Sequence, residues 1–294
     1  MKENVERCGA TPIMVQDEWG TVVDPNKLEQ ALKANPDARL VAFVHAETST
    51  GAQSDARTLV KLAHEHDCLT IVDTVTSLGG TPVLVDEWEI DAVYSGTQKC
   101  LSAPPGLSPI SFSDRALEAV RQRKHPVQSW FMDLNLVMGY WGEGATRAYH
   151  HTAPINNLYG LHEALVILQE EGLENAWARH EQHHLALRAG LEAMGLNFVV
   201  KEADRLPQLN SVTIPEGVDD ATVRGRLLKE YQLEIGAGLG ALAGKVWRIG
   251  LMGHACNARN VLFCLSALEN VLSDMKAPIN RGVAVDAARS KLEL

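Results

Sequence analysis

The chain has 294 residues, a formal charge of −10 at neutral pH and an apolar fraction of 46%. That length supports a large core shared between two lobes, and the acidic balance, with no basic patch, argues against nucleic acid and anionic membranes as partners. No apolar run approaches a membrane span, the first residues hold no signal-like core, and the five scattered cysteines (Cys8, Cys68, Cys100, Cys256, Cys264) lack C-x-x-C spacing, which predicts reduced thiols, a cytoplasmic setting and no structural zinc.

In chain order, Asp24-Pro25 is an N-cap followed by proline at the first helical position, and predicts a helix to about Ala34. Leu40 to Val44 is a buried strand. Ser54 to His66 has helical apolar spacing at Leu59, Val60, Leu62 and Ala63. Strands follow at Leu69 to Val72, Ala92 to Tyr94 and Pro109 to Phe112, and then a helix capped by Ser113 or Asp114 runs to about Arg123. This strand–helix alternation predicts an α/β fold, a mainly parallel sheet covered on both faces. From about Tyr149 to Asn157 the pattern changes. Helices are expected at Asn156 to Glu171, Leu173 to Met194, Asp219 to Tyr231 and Asn257 to Ser273, with short strands at Leu196 to Val200, Ser211 to Ile214 and Lys245 to Ile249. The division is therefore a large domain, 1–152, and a smaller α+β domain, 153–294. The tail after Pro278 has no clear periodicity and reads as a frayed end.

Two residues at strand ends carry the chemistry. Leu69-Thr70-Ile71-Val72 delivers Asp73, and the strand ending at Tyr94 leads through Ser95-Gly96-Thr97-Gln98 to Lys99, with Ala103-Pro104-Pro105-Gly106 behind it. Ligands of parallel sheets bind beyond the carboxyl ends of the strands. A lysine and an aspartate there suit pyridoxal phosphate: the lysine forms a Schiff base, and the aspartate keeps the pyridine nitrogen protonated. The plain alternatives are a solvated lysine and an aspartate that caps a turn. Arg248 lies in the apolar run Val246-Trp247-Arg248-Ile249-Gly250 and needs a partner, either a ligand carboxylate or an internal acid. His180, His183 and His184 share a helical face, but the segment is charged and fits a solvated helix better than a metal site. Gly236-Ala237-Gly238-Leu239-Gly240 lacks the strand-to-helix context of a dinucleotide fingerprint and reads as a loop. Cys100, next to Lys99, reads as a small buried thiol.

The wording from Val72 to Pro82, Tyr94 to Lys99, Ala103 to Gly106, Arg147 to Thr152 and Gly244 to Gly250 resembles the class V aminotransferases, and within them the alanine–glyoxylate and serine–glyoxylate (serine–pyruvate) branch. The likeness runs to about Ser273. It implies the fold type I architecture of pyridoxal-phosphate enzymes. It also implies transamination between a small amino acid, alanine or serine, and glyoxylate or pyruvate. Lys99 would be the Schiff-base lysine and the proton carrier, and Asp73 the partner of the ring nitrogen. Val75 would pack on the ring, Thr48 lie near its phenolic oxygen, and Gln98 contact the phosphate. Tyr149 and Thr152 match residues that reach the phosphate of a neighbouring subunit, which implies a homodimer with shared sites. Arg248 would grip the substrate carboxylate. The likeness starts inside the family's large domain, so roughly the family's first quarter, with its phosphate-cradling turn and stacking aromatic, has no counterpart; Trp19 does not fit the stacking position. The alternatives are another class V chemistry (an aminoethylphosphonate or pyridoxamine aminotransferase, or a lyase) and an inactive truncated relic that acts only by pairing with other subunits.

Overall fold

The computed structural model describes residues 1–141 and 148–292; Arg147 of the family motif lies outside them. The first lobe opens with α1 (Lys2–Arg7) and α2 (Pro25–Ala34), followed by β1 (Leu40–Val44), the two-residue strands β2 (Ala46–Glu47) and β3 (Ala52–Gln53), and α3 (Ala56–Glu65). It continues with β4 (Leu69–Asp73), β5 (Ala92–Tyr94), β6 (Ile110–Phe112), α4 (Asp114–Arg121) and α5 (Leu134–Trp141). Helix starts follow the capping residues: Asp24, Asp55 and Ser113 each accept a backbone N–H of the first turn of α2, α3 and α4.

The main sheet runs β1-β4-β5-β6, with β1, β4 and β5 parallel and β6 antiparallel. One face carries Val41, Phe43, Val72 and Val93. It packs with Leu28 and Leu32 of α2 and Leu59, Val60 and Ala63 of α3 in a single buried cluster. The prediction that both faces are covered holds for this face only. On the other, Leu40 is 53% exposed and Ile110 60%, and Ile71, Asp73 and Tyr94 are half-buried. The site residues lie on this open side.

The second lobe contains α6 (Ile155–Glu171), α7 (Leu173–Ala193), β7 (Leu209–Thr213), α8 (Asp220–Tyr231), β8 (Gly236–Ala237), β9 (Val246–Gly250), α9 (Ala258–Asp274) and α10 (Ala284–Leu292). Its sheet is antiparallel, β7-β9-β8. Trp247, Ile249 and Leu251 enter a core with Leu187 and Leu191 of α7, Val223 and Leu227 of α8, and Leu265 and Leu268 of α9. Two strand expectations change. Leu196 to Val200 contributes one bridge, Phe198 to Val212, and Gly236–Ala237, read as loop, pairs with β9.

The tail is also corrected. Residues 284–292 form α10, with Ala284, Ala288 and Leu292 buried against α7 and α9. Gly190 of α7 makes this possible: a Cβ there would meet the Ala284 carbonyl at 2.8 Å and the Leu265 side chain. No helix among the described residues is long and apolar enough to cross a membrane.

Removing residues 284–294 strips an apolar layer from α7 and α9. Unfolding in urea should show a loss of at least about 3 kcal/mol, from one leucine and two alanines re-exposed together with the surfaces they cover. A midpoint unchanged from the parent would show that α10 contributes no stability.

Candidate active site

Asp73 ends β4 and Tyr94 ends β5, side by side in the parallel pairing. The carboxylate is half-buried and held from two sides. Its Oδ1 accepts the Val75 N–H at 2.9 Å, and its Oδ2 accepts the Tyr94 hydroxyl at 2.7 Å. Burial, then the bond to Asp73, pushes the ionisation of Tyr94 well above the ordinary phenol range, so it stays a neutral donor.

Lys99 follows β5 by five residues on a turn pinned at several points. Thr74 Oγ1 donates to the Tyr94 carbonyl (2.9 Å) and Ser95 Oγ to the Thr74 carbonyl (3.1 Å). Thr97 Oγ1 donates to the Pro104 carbonyl (2.6 Å), so the Pro-Pro-Gly segment folds back over the turn. Cys100 Sγ donates to the Thr76 carbonyl (3.2 Å). That thiol is buried, as predicted, and burial pushes it up to about 12, which makes it inert as a nucleophile. Lys99 itself is half-buried, and its amine makes no hydrogen bond or ion pair among the described residues.

Val75 and Gln98 flank Gly96. A Cβ on Gly96 would lie 2.9 Å from Gln98 Oε1 and 3.4 Å from Val75 Cγ1. Glycine there keeps open the space in front of the two strand ends. The Gln98 amide and the Thr48 hydroxyl are, like the Lys99 amine, without hydrogen-bond partners among the described residues.

Arg248 comes from the second lobe. On β9 the neighbours Trp247 and Ile249 are buried in the core, so the strand's alternation turns Arg248 to the other face, toward the first lobe. Nε donates to the Ala237 carbonyl at 2.7 Å and Nη1 to the Thr48 carbonyl at 2.8 Å. The internal acid that the sequence left open is absent among the described residues: Arg248 is in no ion pair, and Nη2 has no hydrogen-bond partner. A guanidinium fixed by two carbonyls keeps an open edge.

The lobes are also joined behind the site. The His254 N–H donates to Ser102 Oγ at 2.8 Å. Gly253 (φ +56°) is so close to the Lys99 turn that a Cβ would collide with the Ser102 side chain and lie 2.9 Å from the Cys100 carbonyl. Arg179, paired with Glu171, donates to the carbonyls of Gly253 (2.7 Å) and Cys256 (2.9 Å).

The three histidines of α7 are buried, against the solvated helix predicted, and each has a structural partner. His180 accepts the Gly253 N–H at Nε2 and donates from Nδ1 to the Ala176 carbonyl. His183 donates to the Arg179 carbonyl and His184 to Asn210 Oδ1. Among the described residues no group of three or more metal-ligating side chains is placed to hold an ion. Tyr149 and Thr152 are exposed and share a hydrogen bond at 2.5 Å, with none to Asp73, Lys99, Thr48 or Arg248. Sequence reasoning missed Tyr94 as a functional neighbour, along with Ser102 and Gly253. Of these only Tyr94 carried a signal, its place at the end of the strand beside β4.

The residues fit pyridoxal phosphate: an unpaired amine, an oriented carboxylate, unpaired neutral donors and an opening that a side chain on Gly96 would fill. The comparisons agree. The model of the aminotransferase class-V family matches residues 2–259. The chain is 40% identical to the (S)-ureidoglycine–glyoxylate transaminase of Bacillus subtilis, over 98% of this chain and 73% of that one. It is 40% identical to the alanine–glyoxylate aminotransferase of Drosophila melanogaster, over 93% and 70% respectively. The crystal structure of ureidoglycine–glyoxylate aminotransferase from Bacillus subtilis superposes with a TM-score of 0.95 at 42% identity, covering 99% of this chain and 75% of the other. That of alanine–glyoxylate aminotransferase from Nostoc sp. gives 0.89 at 45%, covering 92% and 71%.

Gly253→Ala would force a Cβ into the Lys99 turn at a backbone angle alanine disfavours. Denaturant unfolding should show a loss of about 2–4 kcal/mol. A loss under about 0.5 kcal/mol would mean that the lobes do not meet as closely as described.

Proposed function

The chain belongs to the class-V aminotransferases, enzymes that use pyridoxal phosphate, and on that premise we propose that it moves an amino group from a small amino acid, alanine or serine, to glyoxylate or pyruvate. Glyoxylate is the acceptor common to the names of both relatives, so it is the first acceptor to test. (S)-Ureidoglycine, from the first of those names, joins the donors to test.

The observation that carries the reading is Arg248. It is a half-buried guanidinium with no acidic partner among the described residues, held by carbonyls of both lobes. Such a group binds a carboxylate with two parallel hydrogen bonds, and both the amino acid and the 2-oxo acid carry one. Pyridoxal phosphate, when bound, supplies the electron sink that weakens the Cα–H bond of the amino acid. Asp73 is proposed to hold the ring nitrogen, its carboxylate already oriented by two donors. Lys99 Nζ, free of ion pairs, takes the Cα proton and returns it. With the cofactor bound, Val75 would pack on the ring, and Thr48 and Gln98, without hydrogen-bond partners for their side chains among the described residues, would donate to its oxygens and phosphate.

Residues 1–152 and 153–294 are proposed as the two domains, with the site between them. We also propose a homodimer. Helix α6 buries none of its residues, and Trp130, Phe131, Trp141, Tyr159 and Ile167 are all more than half exposed. Patches of that kind mark protein interfaces. Tyr149 and Thr152, exposed and hydrogen-bonded to each other, would then reach the neighbour's phosphate. The five unpaired cysteines favour the cytoplasm.

Amino transfer to glyoxylate from alanine, serine and (S)-ureidoglycine tests the reading. Arg248→Ala should raise KM for both acids about a hundredfold, the cost of a lost charged partner, with Arg248→Lys between. A KM left unchanged would remove Arg248 from the substrate site, and no transfer from any of the three donors would overturn the proposed reaction.

A further inference from the structure

Tyr94 does not enter the chemistry proposed above, yet its side chain touches that chemistry at one atom. It ends β5 at the register of Asp73, and partners at one register of neighbouring strands project to the same face about 4.8 Å apart. The hydroxyl spans that gap to Asp73 Oδ2 at 2.7 Å and makes no other hydrogen bond among the described residues. The other oxygen, Oδ1, is held by the Val75 N–H at 2.9 Å. A carboxylate with one donor on each oxygen cannot turn without breaking both bonds. An ionised carboxylate has about four lone-pair directions, so acceptor capacity remains for a third donor. The two strands do not need the hydroxyl to stay paired, because β4 and β5 already share a backbone ladder from Ile71–Ala92 to Asp73–Tyr94. Phenylalanine would keep the ring, and with it the packing.

We infer that Tyr94 is a positioning residue: its hydroxyl fixes the angle at which Asp73 meets the ring nitrogen of pyridoxal phosphate, and so sets how strongly that nitrogen is kept protonated. This rests on the role proposed for Asp73. The bond is made to Asp73 and not to Arg248, so its loss acts on the cofactor rather than on the substrate carboxylate.

The test uses the whole chain as parent, Tyr94→Phe, Asp73→Asn and the double variant, each titrated with pyridoxal phosphate. The readouts are the dissociation constant and the pH midpoint of the visible absorption band. Tyr94→Phe should weaken retention about three- to tenfold, the share of a charge-assisted hydrogen bond passed on through Asp73, and should move the midpoint by about half a pH unit or more. In the Asp73→Asn background the same change should have no further effect, since coupling is what the cycle isolates. If Tyr94→Phe does not fold, 3-fluorotyrosine at position 94 replaces it. That more acidic donor at the same place should move the midpoint in the opposite direction. A Tyr94→Phe protein with the parent's dissociation constant and midpoint overturns the inference, as does an equal loss in both backgrounds. No visible band in the parent is a different failure: it overturns the cofactor site itself, and the role of Tyr94 with it.

Discussion

In the pairing of β4 with β5, Asp73 lies beside Tyr94, and the position of each group in the site follows from that register. A slip of one residue would send Asp73 to the face where Val72 and Val93 pack under α2 and α3. That cluster therefore does more than stabilise the sheet. By demanding Val72 and Val93 on one side, it forces the carboxylate and the phenol onto the other. Lys99 follows on a turn whose hydroxyls and thiol are bonded to carbonyls of the same two strand ends. The amine is thus placed by the hydrogen bonds of its neighbours while it makes none of its own among the described residues.

The second lobe completes the site through few contacts of high precision. Arg248 reaches the Thr48 carbonyl, His254 reaches Ser102, and Gly253 packs where no side chain fits. All three lie on β9 or within four residues of its end. Arg179 and His180 of α7 hold the same loop from behind. A shift of β9 relative to α7 would move the open edge of Arg248 and disturb the lysine turn together. Arg248 and the lysine turn are thus positioned by the same rigid frame, and a frame of that kind holds reacting groups in a fixed mutual geometry.

Much of this was legible in the sequence, for a physical reason. Buried strands with apolar runs and capped helices leave strong local patterns, so α2, β1, α3, β4, β5 and β6 fall where predicted, and Asp73 and Lys99 stand out at strand ends; β2 and β3, two residues each, are too short to leave a pattern. The other missed features depend on distant partners. Helix α10 presents Ala284 and Ala288, too small to give an apolar period, and it is held by α7 and α9. His180 and His184 of α7 read as solvated because their partners, Gly253 and Asn210, are far along the chain. The open face of the main sheet was likewise invisible to a pattern that counts only what strands present. That no acid pairs with Arg248 among the described residues is a statement about three dimensions and could not be read from the sequence.

The central claim is that Lys99, unpaired beside an oriented Asp73, is the attachment point for pyridoxal phosphate. The visible absorption spectrum of the purified chain with pyridoxal phosphate, set against Lys99→Ala, tests it most directly. A visible band in the parent that is lost in the variant, with both proteins folded, is the predicted result. A folded parent without the band, or a variant that shows it at equal strength, would contradict the account.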